Sequence, residues 1–385
     1  MVLQQSQSKS SHRIVWVDVL RFIAIFMVIA IHCSDPFNVS PEARSNPEFN
    51  FWGTLYGSFL RPCVPLFVMI TGLLLLPVKL SIGDFYKKRL LRIFIPFVVW
   101  SVLYNLFPWI TGVLGLPSTI ISDVFAYASP NASQTFTDAI KNIALMPFNF
   151  NVYTVPMWYL YMLIGLYLYM PYFSVWVEKA PITQKKIFLG FWVLTLFLPY
   201  AYAFFSQNLF GLSAWNTFGT FYYFAGFNGY LLLGYYLTQH VKTISLSKTL
   251  AISLPLLIIG YAVTYMGFKS MTAIPNCTEE QMELFFLYCS PNVAMMTVAI
   301  FLLVRRIKFS TPTLINLFAN ITKCGLGIYL IHYFVVGLGY WIANVLQIPI
   351  SLKIPITAII VFVISWGIVA LFYKIVPKAS KWIFG

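Results

Sequence analysis

The sequence predicts an all-α integral membrane protein with about ten transmembrane helices and both termini in the cytoplasm. Three observations lead there. Of the 385 residues, 59% are hydrophobic and 18% aromatic, and only 9% are charged, against roughly 25% charged in a soluble domain. Apolar runs close to the ~20 residues that cross a bilayer recur along the chain, at 15–33, 59–78, 91–115, 156–177, 187–205, 219–238, 249–268, 285–304, 316–340 and 354–376. With the N-terminus inside, 18 of the 25 Lys and Arg fall in cytoplasmic segments; Arg44, Arg61, Lys141, Lys269 and Lys353 fall outside or near the outer edge. That asymmetry is the one that sets membrane topology. The chain divides into a cytoplasmic N-terminal tail (1–14), a single polytopic domain (15–376) and a cytoplasmic C-terminal tail (377–385).

The net charge of +14 follows from the same asymmetry. Its basic residues are dispersed over short loops rather than gathered in one patch, so the partner it implies is the membrane lipid and not a nucleic acid. The first apolar run is too long and too ionic for a cleaved signal peptide. The five cysteines (Cys33, Cys63, Cys277, Cys289, Cys324) show no CxxC pair and no Cys/His metal spacing, so no metal is expected. Cys277 and Cys289 are near enough in sequence to be bridged if they lie outside. The longer segments 34–58, 112–155 and 269–284 are either a vestibule for a polar substrate or plain connectors. Short sequons at Asn38, Asn131 and Asn276 carry little information. No signal for an oligomeric state is present.

The first span carries Asp18, Arg21 and His32. At ~100° per residue, Arg21 lies about 60° and His32 about 40° around the helix from Asp18, so all three share a face. A charged side chain in a membrane costs roughly 2.5–3.5 kcal/mol on insertion scales. A helix that only anchors would not carry that cost, so the stripe faces protein or a wet cavity. His32 lies fourteen residues beyond Asp18, ~21 Å along the axis, too far for Asp18 to orient its ring. Asp18 and Arg21 read as a supporting electrostatic pair. Arg89 and Arg92, with Lys88 beside them, open the third span; an i,i+3 pair puts both guanidinium groups on one face. There they are either phosphate ligands or ordinary topology signals. Arg61 lies near the outer start of the second span, beside Pro62 and Pro65. Trp158 and Tyr159 open the fourth, as an interfacial belt or a packing surface for a sugar. Tyr329 and His332 sit in the ninth; a straight helix from Asn316 would lift His332 to the level of His32, whereas a break at Gly325 and Gly327 would leave it lower. His12 and His240 read as loop residues.

Several of these blocks together resemble acyltransferase family 3, bacterial integral-membrane enzymes that acylate sugars of surface polysaccharides. The opening RIVWVDVLRFIAIFMVIAIH carries Arg13, Asp18, Arg21, Ala24 and His32; RPCVPLFVMITGLLLL carries Arg61, Pro65, Phe67, Thr71 and Gly72; FYKKRLLRIFIPFVVW carries Arg89, Arg92, Pro96 and Trp100. PMWYLYMLIGLYLYMP and GLGIYLIHYF are similar to two further blocks, in the family's order. Ser is commoner in the family where Thr71 stands.

The resemblance implies a catalytic His32 acting as general base on an acceptor hydroxyl, a task suited to neutral imidazole. It implies that Arg89, Arg92 and Lys88 bind the phosphates of acyl-CoA, with acetyl-CoA the first candidate. It implies an acceptor that is a glycan or lipid-linked saccharide, held with the help of Arg61, Trp158, Tyr159, Tyr329 and His332. The location implied is the bacterial inner membrane, crossed many times. The compact form is similar to stand-alone O-acetyltransferases of enterobacterial common antigen and of exopolysaccharides. The rival reading is a transporter of a saccharide or small anion that uses the same polar stripe as its pathway; a third is a non-catalytic assembly scaffold.

Overall fold

A computed structural model describes residues 14–38, 41–129, 134–205, 214–274 and 277–385. His12, Arg13 and the sequons at Asn131 and Asn276 lie outside the described residues. Among the described residues the chain is helical throughout, with no strand, and nine helical runs are long and apolar enough to cross a membrane. The chain is therefore an all-α multi-pass membrane protein.

The first helix, α1 (Val15–Asn38), lies at the centre. It packs against α2 (Pro47–Leu60), α3 (Cys63–Leu75), α10 (Pro312–Val345) and α11 (Ile350–Ile375). In its most apolar window 61% of residues are buried in protein; the figure is 17% for the span over Ile182–Phe204 and 22% for that over Leu246–Thr272, which stand at the periphery. The polar stripe of α1 is thereby shielded from lipid, as intramembrane charge requires. The other long elements are α4 (Leu91–Val113), α5 (Trp158–Lys179), α6 (Ile182–Thr195), α8 (Leu246–Thr272) and α9 (Pro291–Val304).

Three expectations are revised. The second span begins at Pro47, inside the segment expected as an outer connector. Asn46 caps this helix, its side chain accepting from the backbone N–H groups of Glu48 and Phe49, and Pro47 takes the first turn, where its missing donor costs nothing. The run then breaks at Arg61–Pro62, because Pro62 and Pro65 cannot donate to the carbonyls four residues back. The sixth span, expected over 219–238, is not one continuous helix. A 3-10 stretch (Ala214–Phe224) is kinked at Gly219 (φ 51°), Gly226 takes φ 90°, and only α7 (Asn228–Gln239) is α-helical. That short helix is nonetheless held tightly. A Cβ at Gly72 of α3 would come 1.8 Å from the Leu231 carbonyl oxygen, and one at Gly234 of α7 would come 2.1 Å from that of Met69. Two glycines thus let the backbones touch, the usual device of helix contacts in membranes.

The third revision concerns the C-terminal tail. It folds as α12 (Pro377–Ile383) and returns into the bundle. Phe384 is buried, and Trp100 Nε1 donates to the Ile383 carbonyl at 2.8 Å. Within 112–155, short helices form at Ser118–Val124 and Phe136–Leu145, the latter opened by a Thr135/Asp138 capping box that holds the Asp138 carboxyl below its usual range. All five cysteines are free thiols, Cys277 and Cys289 included.

Candidate active site

One end of α1 borders a cavity of about 790 Å³. Arg21 enters it from α1, Arg89 and Arg92 from the start of the third span, and Lys323 from α10. Asn316, Asn320 and Thr322 add polar groups from the first turns of α10. Asp18 underlies this cationic cluster: its carboxylate lies 3.5 Å from the Arg21 guanidinium and accepts from Thr322 Oγ1 at 2.9 Å. A charge-assisted bond on each side makes a buried carboxylate tolerable. The expected Asp18–Arg21 pair is therefore present, and Thr322 is an addition. Arg89 lies in a π-helical turn (Tyr86–Leu90) that leads into α4, and Arg92 one turn further. Both line the cavity, and so share a side as their i,i+3 spacing predicts. Lys88, expected with them, is exposed and lies outside the lining. Arg92 donates to the Gly385 carbonyl at 3.0 Å, and Lys323 Nζ sits 4.7 Å over the Tyr373 ring.

The far wall of the cavity is aromatic. Tyr159 and Tyr329 line it, with ring centroids 5.4 Å apart. Tyr159 is buried and also packs on Phe67 at 5.9 Å, so it belongs to the cavity wall and not to an interfacial belt. Trp158 is half-buried and stacks on Tyr288, centroids 5.3 Å apart and planes 20° apart. The Tyr329 hydroxyl donates to the Pro156 carbonyl, which ties α10 to the start of α5.

Past Tyr329 comes the second cluster. Helix α10 is unbroken at Gly325 and Gly327, so His332 does reach the level of His32; the two ring centroids are 5.2 Å apart. His32 Nδ1 lies 3.0 Å from Asp35 Oδ2. Facing a carboxylate, that nitrogen carries the proton, leaving Nε2 as a base with its lone pair available. His332 Nδ1 bonds the Tyr329 carbonyl, while its Nε2 is buried with no hydrogen-bond partner. Tyr333 stands edge-on to His32 at 5.2 Å, and Tyr127 of the segment after α4 covers Tyr333 at 5.3 Å. The side chains of His32 and Asp35 are 12% and 30% exposed, so the dyad is enclosed but reachable.

Arg61 stands apart from the position expected for it. It lies at the α2–α3 break, deep within the 29-residue run, with its guanidinium 3.7 Å over the Phe286 ring and its Nε buried without a partner.

Asp35, Lys323 and Thr322 were not singled out in the sequence. Asp35 follows His32 by three residues, the spacing at which helical side chains meet, so His-x-x-Asp was the available signal. Lys323 is a charge within a span, open to the argument that selected Arg21. Among the described residues no group of three His, Cys, Asp or Glu side chains is placed to hold a metal. A separate groove of about 540 Å³ between α5 and α6 carries no charged side chain and is walled by rings such as Phe173, Trp176 and Phe188, so it offers no chemistry comparable to the basic cavity.

The comparisons with known proteins bear on this arrangement. No curated protein and no solved structure matches the chain. A family model does match, over residues 14–374, and its description is an acyltransferase domain. It takes in α1 through nearly all of α11, and with them the basic cavity and both histidines. The chain belongs to acyltransferase family 3 and is a membrane-embedded acyltransferase.

Proposed function

We propose that the protein transfers an acyl group, acetyl first among candidates, from acyl-CoA to a hydroxyl of a lipid-linked or surface glycan at the bacterial inner membrane. One observation carries this reading. The cavity holding Arg21, Arg89, Arg92 and Lys323 ends at Tyr329, and one helical turn beyond stands the His32–Asp35 dyad with His332. Guanidinium forks suit phosphate oxygens. His32 is eleven residues from Arg21, ~16 Å along the helix, a distance that an extended pantetheine arm spans. Phosphates held at the basic end would present the thioester close to His32. The positive-inside pattern of the loops supports a cytoplasmic basic end, where acyl-CoA is found, with the dyad in the outer half of the bilayer.

In this reading His32 Nε2 takes the proton of the acceptor hydroxyl, and Asp35 stabilises the imidazolium that forms. The hydroxyl oxygen bonds to the thioester carbon, and the tetrahedral intermediate collapses with cleavage of the carbon–sulfur bond. In the same reading Arg61, whose buried Nε lacks a partner, is the candidate contact for the acceptor or the oxyanion. The family membership takes the place of the transporter alternative.

The test is acetyl-CoA binding and thiol release by the purified protein in nanodiscs. Wild type should bind acetyl-CoA and release thiol, His32→Ala should bind without release, and Arg89→Lys/Arg92→Lys should lose affinity. A correctly folded wild type that binds neither acetyl-CoA nor CoA would remove acyl-CoA as the donor.

A further inference from the structure

We propose that His332 is the acid that delivers the proton to the departing sulfur, so that two histidines divide the path of one proton. This deepens the acyl-CoA reading and rests on it. The Nδ1 contact with the Tyr329 carbonyl is attractive only if Nδ1 carries its proton. That fixes the tautomer and leaves Nε2 as a bare acceptor. Nε2 is buried and has no protein partner. A buried polar atom left unpaired costs stability, and such atoms call for an explanation in function.

The surroundings define what that atom meets. From α1 comes the His32 ring at 5.2 Å, itself backed by Asp35. From α10 itself come Tyr329 at 5.6 Å and Tyr333 at 6.2 Å. Behind these, Tyr159 of α5 packs on Tyr329, and Tyr104 of α4 and Tyr127 pack on Tyr333. Among the described residues no carboxylate forms an ion pair with His332. Tyr329 lines the donor cavity, and His332 follows it by one helical turn, with its ring beside that of His32.

The two histidines therefore differ in one respect that matters. A carboxylate holds an imidazolium on His32, and only a backbone carbonyl stands behind His332. A proton that reaches His332 is passed on. The step balances: the acceptor O–H bond breaks and Nε2–H forms on His32; the carbon–oxygen bond forms; the carbon–sulfur bond breaks as Nε2 of His332, having received the proton from His32, gives it to the thiolate. The products are the ester and CoA-SH, and both imidazoles return to their starting tautomers.

The experiment uses the full chain in nanodiscs with ¹⁵N-labelled histidine, the signals assigned with His32→Gln and His332→Asn. CoA, which carries the free thiol, is the probe. Expected is an Nδ1–H tautomer for His332 with bare Nε2, and a shift of that Nε2 signal on adding CoA. An Nε2–H tautomer, or no shift while calorimetry shows CoA bound, overturns the proposal. His332→Asn keeps an N–H for the Tyr329 carbonyl and removes Nε2. It should bind acetyl-CoA within about twofold of wild type and release thiol at least ~100-fold more slowly, the scale of a lost general acid. The loss should shrink with acetyl-seleno-CoA, which keeps the phosphates and the arm and whose selenolate leaves with little need of a proton; equal losses with both donors mark a merely structural role and overturn the proposal. If CoA and acetyl-CoA do not bind wild type at all, the donor reading itself is what has failed, and this role falls with it. Should the Asn variant not fold, the wild-type spectra with and without CoA decide alone.

Discussion

The two ends of α1 are built on opposite principles. At the Arg21 end the helix borders an open cavity, charge is abundant, and three of the four cations have a modest local partner: Asp18 for Arg21, the Gly385 carbonyl for Arg92, the Tyr373 ring for Lys323. At the His32 end the surroundings are aromatic and enclosed, and a single carboxylate, Asp35, sets the state of one imidazole. The first end is suited to holding a highly charged ligand by many additive contacts. The second is suited to moving one proton, where a few positions must be right. Graded losses should follow from mutating the first, and steep ones from the second.

The steepest loss should come from His32→Ala: thiol release from acetyl-CoA falls ~10²–10⁴-fold, the usual contribution of general-base catalysis, while calorimetry shows donor binding intact. A silent His32→Ala would erase the contrast. Next, Arg89→Lys/Arg92→Lys keeps the charge and loses the fork, and should weaken acetyl-CoA binding ~10–100-fold with the rate at saturation little changed; a loss confined to the saturating rate would assign these arginines to chemistry instead. Asp35→Asn should slow turnover about tenfold or more by removing the charge that steadies the imidazolium, and unchanged turnover would show His32 acting without it. Lys323→Met should cost about fivefold in donor affinity, ~1 kcal/mol for a partly screened charge, and should flatten the salt dependence of binding. Smallest of all, Lys88→Met should leave affinity as it is, since Lys88 is outside the cavity; a loss matching that of Lys323→Met would place the phosphates further out along the third span.

The same contrast explains what the sequence disclosed. Asp18, Arg21 and His32 stood out because charge in an apolar run has an unavoidable cost, and that cost needs no tertiary information to be seen. For Arg89 and Arg92 spacing gives only a shared helix face and leaves topology signal and phosphate ligand both open; the resemblance of the block to the family is what singles them out, and the turn that bears Arg89 is π-helical. Asp35 was overlooked because it precedes Pro36 and reads as the end of the helix; α1 in fact runs on to Asn38, and Pro36 is accommodated within it. The helix Pro47–Leu60 was overlooked because its Pro and Asn content suggested a connector, although Asn46 followed by Pro47 is a recognisable helix start. The sixth span is interrupted because the φ of Gly219 and Gly226 depends on packing that no hydropathy window contains. Which side chains of α10 meet α1 was also out of reach: the approach of His332 to His32 needs a straight helix across Gly325 and Gly327, and only the neighbours of those glycines decide that.

Between Arg21 and His32, α1 contains neither glycine nor proline and is α-helical at every residue. Helices of the bundle can slide or tilt against one another and so change the width of the cavity. The interval from Arg21 to His32 cannot change with them, because both are fixed on one rod. If the basic end holds the donor as proposed, the site measures that donor by length, like the fixed jaw of a caliper. A thioester carried on a shorter arm, even one bearing the same phosphates and the same acyl group, would stop short of His32.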